Sequence, residues 1–468
     1  MSVQRGKVDW LWALLIPLLY CVDSISTPEC QDLSTCPVCF NNTMEDWDGT
    51  TPVMESELKD FMVETQAQFM DIVNAKTPHT ATAFDGAAGR ALLYLRIYDD
   101  KKNDTALGSA RAYAEEALQA VHTLNLDYVG FLWGGTGVYA VAAAVLDRAG
   151  NESERVCELV DNVRSIFATA PQMAPYDDWD SGRSGLLYAA HFLKENVKHA
   201  PANCTTIEQE AVKAVAEAIV TRGAALARGE GYMEFISPND GGRWLGQSHG
   251  SAGVCHGLIS YAPEVFRQNA TARALILGTL DHIVSKQMPS GNFPSEYYDD
   301  DADELVQWDH GAPGIMTVLA HAALEVSQLA SNGTLAWPDA QEYMERYTTS
   351  AVKAADCTWE RGLLTKGLQM CHGIVGNTYQ QLRLAALIRE LNSRNDTGVE
   401  PDRFTWRALQ FQRFVMRTPE LNDPQLMRKP TPDPFAVYTA SYESASVIFQ
   451  DLASHSDYPF DVRGMLAY

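Results

Sequence analysis

Six copies of the pattern G-x-x-G recur along the chain at intervals of 48 to 68 residues, and an apolar segment follows each copy. The copies occupy residues 86–89, 134–137, 182–185, 250–253, 311–314 and 373–376. The segments after them, such as ALLYLRIY, are apolar on nearly every face, which is typical of buried helices. The segments between them, such as SARAYAEEALQAVHTL, carry one apolar stripe, which is typical of half-exposed helices. The repeat therefore predicts pairs of one inner and one outer helix.

Helix pairs that repeat six or seven times without polar capping units close most economically into a ring. We therefore predict an all-α fold, an α/α toroid of six to seven helix pairs, in which each G-x-x-G leads into an inner helix. Glycine is expected there because it permits positive φ and a close approach of the backbone. The segment SYESAS at residues 441–446 predicts a seventh unit that has lost its glycines.

The N-terminus has the composition of an export signal. Arg5 and Lys7 precede an almost wholly apolar stretch, and small residues at 24–26 suit cleavage. We interpret residues 1–26 as a signal peptide. A signal anchor is the alternative, although the stretch is short for a membrane span and no later segment is predicted to cross a membrane. A Cys-containing segment at 27–60 and the toroid at 61–468 are expected to follow.

Seven N-x-S/T sequons also favour export through the secretory pathway, because they lie mostly in polar connectors where a secreted glycoprotein would carry glycans. We expect a chain that is secreted or held in the lumen of the secretory pathway. The net charge of -24 disfavours nucleic acid and anionic membranes as partners. The sequons begin at Asn41, Asn103, Asn151, Asn203, Asn269, Asn332 and Asn395.

Three of the nine cysteines, Cys30, Cys36 and Cys39, lie close together after the predicted cleavage site. In an oxidising compartment such a cluster predicts disulfides, whose pairing stays open. A metal site built from the three is the alternative.

Histidines at equivalent repeat positions predict a site at one end of the toroid. His249, His310 and His372 each stand directly before the first glycine of their repeat. Cys371 and Asp309 precede two of them and add sulfur and oxygen donors. The set Asp309, Cys371 and His372 is a candidate zinc site, whose open fourth position would lower the pKa of a bound thiol or water.

Other interpretations of these positions stay open. In one interpretation, the chain has lost the metal and Asp309 caps a helix instead. Cys255, which precedes His256 inside the fourth repeat, packs within an inner helix, replaces a thiolate ligand, or forms a disulfide with Cys371.

Three segments resemble motifs of the lanthionine cyclase-like (LanC-like) family: LGQSHGSAG at 245–253, WDHGAPG at 308–314 and KGLQMCHGIVGN at 366–377. The resemblance extends over about residues 80–455. It implies a seven-unit α/α barrel with zinc at its centre, and thiol addition to dehydrated serine or threonine as the reaction.

The resemblance also implies roles for single residues. Cys371 and His372 match family zinc ligands, while His249 and Asp178 match catalytic residues that assist thiol addition and protonation of the enolate. Lys366 resembles a basic residue near bound glutathione in the eukaryotic branch. The candidate substrate-binding residues are Lys366, His310 and Arg183.

The chain departs from the family pattern at two places. The third ligand is normally a cysteine in W-C-H-G-A-P-G, where this sequence has Asp309. A carboxylate raises the effective charge on the metal, so activation of water becomes an alternative to activation of a thiol. An arginine expected shortly before this motif is replaced by the acidic segment DADELVQ at 301–307, which argues against an anionic ligand such as glutathione.

Three functions follow from these residues. The leading one is a zinc-binding toroid that acts on a thiol, peptide or small molecule by thiol addition or thioether formation. The second is a non-catalytic extracellular toroid that binds a peptide or metabolite. The third is a carboxylate-based glycoside hydrolase, for which Asp177, Asp178, Asp180 and Asp309 supply acids and Trp179, Trp244 and Trp308 supply aromatic surface.

Overall fold

The computed structural model describes residues 39–51, 70, 73, 77–150, 152–238, 241–298 and 303–417. Within these ranges the chain is α-helical, and only isolated bridges occur where strands would be. The helices are α1 (Ala87–Lys101), α2 (Asp104–Ala120), α3 (Gly135–Ala149), α4 (Ser153–Met173), α5 (Arg183–Asn196), α6 (Gln209–Leu226), α7 (Ser251–Tyr261), α8 (Pro263–Gln268), α9 (Ala270–Ser285), α10 (Ala312–Ser331), α11 (Trp337–Arg361), α12 (Ile374–Arg394) and α13 (Pro401–Arg417).

Six of these helices form an inner layer. Each begins within or just after a G-x-x-G copy, and each packs against the next inner helix along the chain. The helices between them pack outside as partners of the inner helix that precedes them. The inner helices are buried on nearly every face because their residues are apolar or small, as the residues of α3 illustrate. The inner helices are α1, α3, α5, α7, α10 and α12.

The loops that lead into the inner helices are joined by backbone hydrogen bonds. In five successive loops, the residue two positions before the first glycine accepts an N–H from the preceding loop. The five bonds run from Phe84 to Leu132 (3.0 Å), from Trp133 to Asp180 (3.3 Å), from Trp179 to Ser248 (3.0 Å), from Gln247 to Asp309 (3.1 Å) and from Asp309 to Cys371 (3.0 Å).

The row of entry loops curves back on itself. Phe84 from the first loop lines the same small cavity as Cys371 and His372 from the sixth. The inner helices therefore surround a common axis, which confirms the predicted all-α toroid. The predicted seventh unit at 441–446 lies outside the described residues, as does the predicted signal peptide at 1–26.

The second glycine is required by close approach in the last five G-x-x-G copies. A Cβ on Gly253 would lie 1.8 Å from the carbonyl oxygen of Gln247, six residues earlier, and Gly376 meets Met370 in the same way. Positive φ is the exception at the first glycine: Gly311 has φ 101°, whereas the other five have φ between -126° and -89°. The expectation of positive φ at these entries was therefore wrong for five of the six.

The described part of the Cys-containing segment packs against the outside of the toroid. The Phe40 N–H donates to the Leu363 carbonyl, and Asp46 accepts from the guanidinium groups of Arg403 and Arg407 at 2.8 to 3.0 Å. Burial opposes ionisation of Asp46, but the two arginines override it and lower its pKa to about 2. Cys39 takes part in a disulfide, whereas Cys30 and Cys36 lie outside the described residues.

A disulfide that the sequence did not indicate joins Cys157 on α4 to Cys204. Cys255 and Cys371 are both free, so the alternative of a disulfide between them is wrong. Among the helices that the structure describes, none combines the length and the apolar character that a membrane crossing requires.

Adding a methyl group at Gly253 is expected to destabilise the fold, because its Cβ would overlap a backbone carbonyl that is held in the loop ring. We expect Gly253→Ala to lower the free energy of unfolding by about 3 kcal/mol or more. Gly108→Ala is the matched control, since this exposed glycine of α2 has open space around it and gains helix propensity, about 0.5–1 kcal/mol. Urea unfolding of both variants checks the difference, and equal stabilities would contradict the packing argument.

Candidate functional site

A cavity of about 150 Å³ lies at the centre of the ring of entry loops. Nine of its ten lining residues occupy one of the two positions before the first glycine of a repeat. The repeat therefore directs the same two positions of successive loops toward one point. The lining residues are Phe84, Tyr128, Trp133, Asp180, Ser181, Ser248, His249, Asp309, Cys371 and His372.

His249 lies between two carboxylates. Its Nδ1 is 3.4 Å from Asp178 Oδ2, and its Nε2 is 3.6 Å from Asp180 Oδ2. The Ser248 hydroxyl donates to Asp180 at 2.6 Å, and the backbone N–H of Ser181 donates to Asp178 at 3.0 Å. Both carboxylates are buried. The predicted pair Asp178 and His249 is thus brought together, with Asp180 as a third member.

The carboxylates determine the charge of the imidazole. Burial alone would lower the pKa of His249, but Asp180, Asp178 and Asp309 override it and raise the pKa to about 10. Burial raises the pKa of Asp180 to about 7, assisted by the neighbouring Asp309 and Asp178 against the opposing charge of His249. At neutral pH the cavity therefore holds an imidazolium next to a carboxyl that titrates near neutrality.

The candidate ligands Asp309, Cys371 and His372 also meet in this cavity. The His372 ring lies between the other two, with Nδ1 2.6 Å from Cys371 Sγ and Nε2 2.8 Å from Asp309 Oδ2. Asp309 Oδ2 is also 3.2 Å from His310 Nε2. The helix α10 is preceded by Gly311 and has no side-chain cap, so the alternative that Asp309 caps this helix is wrong.

The three residues supply a sulfur, a nitrogen and an oxygen donor, a combination that suits zinc. In the described part of the chain, no group of three or more His, Cys, Asp or Glu side chains is arranged to hold a metal ion as it stands. The physical reason is that His372 Nδ1 faces Cys371 Sγ while His372 Nε2 faces Asp309 Oδ2, so the three donor groups do not converge on one point. Asp309 Oδ1 is nevertheless buried without a hydrogen-bond partner, which leaves an oxygen that suits a cation.

The remaining predicted residues do not line the cavity. Lys366 donates to Gln307 Oε1 at 2.9 Å, and the ring of His310 packs on Trp244 with centroids 4.4 Å apart. Arg183 is buried, and its Nε donates to Asp177 Oδ1 at 2.6 Å. None of these three candidate substrate-binding residues lines the cavity.

Cys255 is buried within α7, and burial raises its pKa to about 12. It does not line the cavity, and this placement agrees with the packing interpretation.

Several cavity residues were missed from the sequence, notably Trp133, Ser181 and Ser248. Trp133 and Ser181 occupy the repeat position that holds histidine in the later units. A comparison of that position across all six repeats identifies Trp133 and Ser181, which a search for histidines alone does not. Trp179 and Trp308, which were expected to offer sugar-stacking surface, are instead buried in the core at 1% and 3% exposure.

Raising the pH is expected to weaken the fold through His249. Its pKa in the folded chain, about 10, exceeds the ordinary value of 6.5, so its stabilisation is complete below pH 6.5 and is lost as the pH rises toward 10. In the presence of a chelator, this group makes the free energy of unfolding fall by about 1.4 kcal/mol per pH unit between pH 7 and 9. Urea unfolding at both pH values should show a smaller decline in His249→Asn, while the exposed control His122→Asn should follow the unmodified chain.

Comparisons with known proteins identify the family of this chain. Residues 77–399 match the family model described as lanthionine synthetase C-like protein. "Glutathione S-transferase LANCL1" of Danio rerio is 26% identical over 335 residues, which cover 67% of this chain and 72% of that protein. "LanC-like protein GCL1" of Arabidopsis thaliana is 26% identical over 318 residues, which cover 65% of this chain and 66% of that protein. The solved structure of "Nisin cyclase" aligns with 85% of this chain and 99% of its own at 14% identity and a TM-score of 0.45. Because the family match spans more than half of the sequence, the chain belongs to the lanthionine synthetase C-like protein family.

Proposed function

We propose that this protein binds zinc through Asp309, Cys371 and His372 and adds a thiol to an electrophilic carbon, with His249 as the proton donor. The observation that carries the proposal is that the donor set and the imidazolium line one cavity. When bound, zinc lowers the pKa of a thiol that enters its open position. The name of the Danio rerio relative, a glutathione S-transferase, supports a thiol as one substrate.

The proton balance of this reaction fits the residues present. The thiol loses its proton to Asp180, whose pKa of about 7 suits a base near neutrality. The sulfur then bonds to the β-carbon of an unsaturated carbonyl compound, and the α-carbon takes a proton from His249. Asp180 lies 3.6 Å from His249 Nε2 and returns the proton to it. Asp178 holds the opposite ring nitrogen and orients the imidazole.

The size of the cavity restricts what enters. A volume of about 150 Å³ is smaller than the range of about 300–1,000 Å³ typical of sites that enclose a whole small molecule. We therefore propose that only the reacting end of the substrate enters, between Phe84, Tyr128 and Trp133. The rest of a peptide or thiol compound would lie across the mouth of the toroid.

Zinc binding and catalysis are tested separately by three variants of the full-length secreted protein. We expect about one zinc per chain by mass spectrometry, and its loss in Asp309→Ala and Cys371→Ala. His249→Asn should keep the zinc but lose about 10²- to 10⁴-fold in the rate of thiol addition to a dehydroalanine peptide. The assay uses glutathione and a cysteine peptide in parallel, because the acidic segment at 301–307 disfavours an anionic thiol.

Cys357→Ala is the matched control for thiol loss, since Cys357 is also free and buried but does not line the cavity. It should retain zinc and activity. A folded protein without metal and without addition activity would contradict the proposal and favour the non-catalytic binding toroid.

We also propose that the chain is exported and glycosylated. The side chains of Asn103, Asn203 and Asn332 are exposed and accessible to a glycan. Asn395 differs, because its amide donates to Ser327 Oγ and contacts Met344 Sδ. We expect glycans at the three exposed sites and little or none at Asn395. Peptide mass spectrometry after enzymatic deglycosylation in oxygen-18 water measures the occupancy of each site. Full occupancy of Asn395 would contradict the arrangement of that loop.

A further inference from the structure

A second polar layer lies in the lumen of the toroid, below the entry loops. It consists of His256 and Ser260 on α7, His321 on α10 and Arg383 on α12, which are three successive inner helices. Arg383 Nη2 is 3.4 Å from His256 Nε2, and Ser260 Oγ is 3.0 Å from His321 Nδ1. The two imidazole rings meet edge to face, with centroids 5.9 Å apart. We call these four residues the lumen cluster.

The lumen cluster borders an internal space. Arg383, His321 and Ser260 are half-buried, so each retains accessible surface. Because all three lie on inner helices, this surface faces the interior of the ring. Above the cluster, His256 contacts the Gln247 amide and stacks on Trp179, both from the entry loops.

Arg383 carries a positive charge that no described carboxylate neutralises. Its Nε is buried without a hydrogen-bond partner, and among the described residues its side chain forms no ion pair. Three other buried or half-buried arginines are paired with a carboxylate: Arg183 with Asp177, Arg267 with Glu325 and Arg407 with Asp46. An enclosed charge without a counter-ion costs several kcal/mol.

The neighbouring histidines do not compensate this charge. Burial lowers the pKa of His256 well below its usual value and that of His321 to about 3, and the charge of Arg383 lowers both further. Both rings are therefore neutral at physiological pH. The contact between Ser260 Oγ and His321 Nδ1 uses only one of the two protons of this pair, so one N–H or O–H group remains that can donate to an anion.

We infer that the lumen cluster binds one small monovalent anion, a halide or a simple carboxylate, against Arg383 and between α7, α10 and α12. A single negative charge matches the single guanidinium, whose fork of N–H donors suits such a ligand. The site is separate from the cavity of the entry loops and does not depend on the proposed thiol chemistry. Its effect is to stabilise the ring, because the anion contacts three of the inner helices that carry those loops.

Thermal unfolding of the full-length protein at constant ionic strength tests the inference. Isethionate, a larger monovalent anion, is replaced stepwise by chloride, bromide or formate. We expect Tm to rise by a few degrees and to saturate. A response to halides identifies an inorganic ligand, and a response to formate alone identifies a carboxylate. A Tm that is the same in all four salts overturns the inference.

Arg383→Met should abolish the anion response and should be at least as stable as the unmodified chain in isethionate, because the unpaired charge is gone. Arg267→Met is the matched control: it breaks a paired arginine, so it should lower Tm in every salt and keep the anion response. Loss of the response in both variants overturns the assignment to Arg383.

Bromide-soaked crystals of the unmodified protein provide a test that does not depend on folding of a variant. An anomalous peak beside the Arg383 guanidinium is expected. A carboxylate of the chain itself in that place would overturn the inference.

Discussion

The structure depends on the backbone hydrogen bonds that join each inner-helix entry loop to the next. Every bond uses a carbonyl at the same repeat position, two residues before the first glycine. The second glycine makes this possible, because its missing side chain lets the helix begin directly against the loop six residues earlier. The ring aims one or both of the side chains before the first glycine of each loop at one axis, and the composition of the cavity follows from the residues at those two positions.

The residues at those two positions differ in chemical type from loop to loop around the ring. Aromatic residues come from the first two loops, serine and aspartate from the third, and imidazole, thiol and carboxylate groups from the last three. The cavity therefore has an apolar side, where Phe84 stacks on Trp133, and a charged side. An unsaturated substrate would rest on the apolar side and present its reacting carbon to the charged one. The anion inferred in the lumen would reinforce the same helices from below.

The sequence was sufficient to predict the helix pairs, the six entry loops and the grouping of His249, Asp309, Cys371 and His372, because all of these follow from repeat position. The sequence was not sufficient to predict features that depend on contacts between residues far apart in the chain. Arg183 is the first residue of the inner helix α5, yet Asp177 binds its guanidinium and keeps it out of the cavity. The pairing of Cys157 with Cys204 and the isolation of Arg383 depend on how separate helices meet, which no local pattern records.

The central claim is that an aspartate has replaced a thiolate without loss of the metal. Zinc K-edge X-ray absorption on the purified protein tests it most directly. The account predicts a first shell with one sulfur at about 2.3 Å and otherwise nitrogen and oxygen at about 2.0–2.2 Å, and a second sulfur in Asp309→Cys. A shell without sulfur, or with two sulfurs in the unmodified chain, would contradict it.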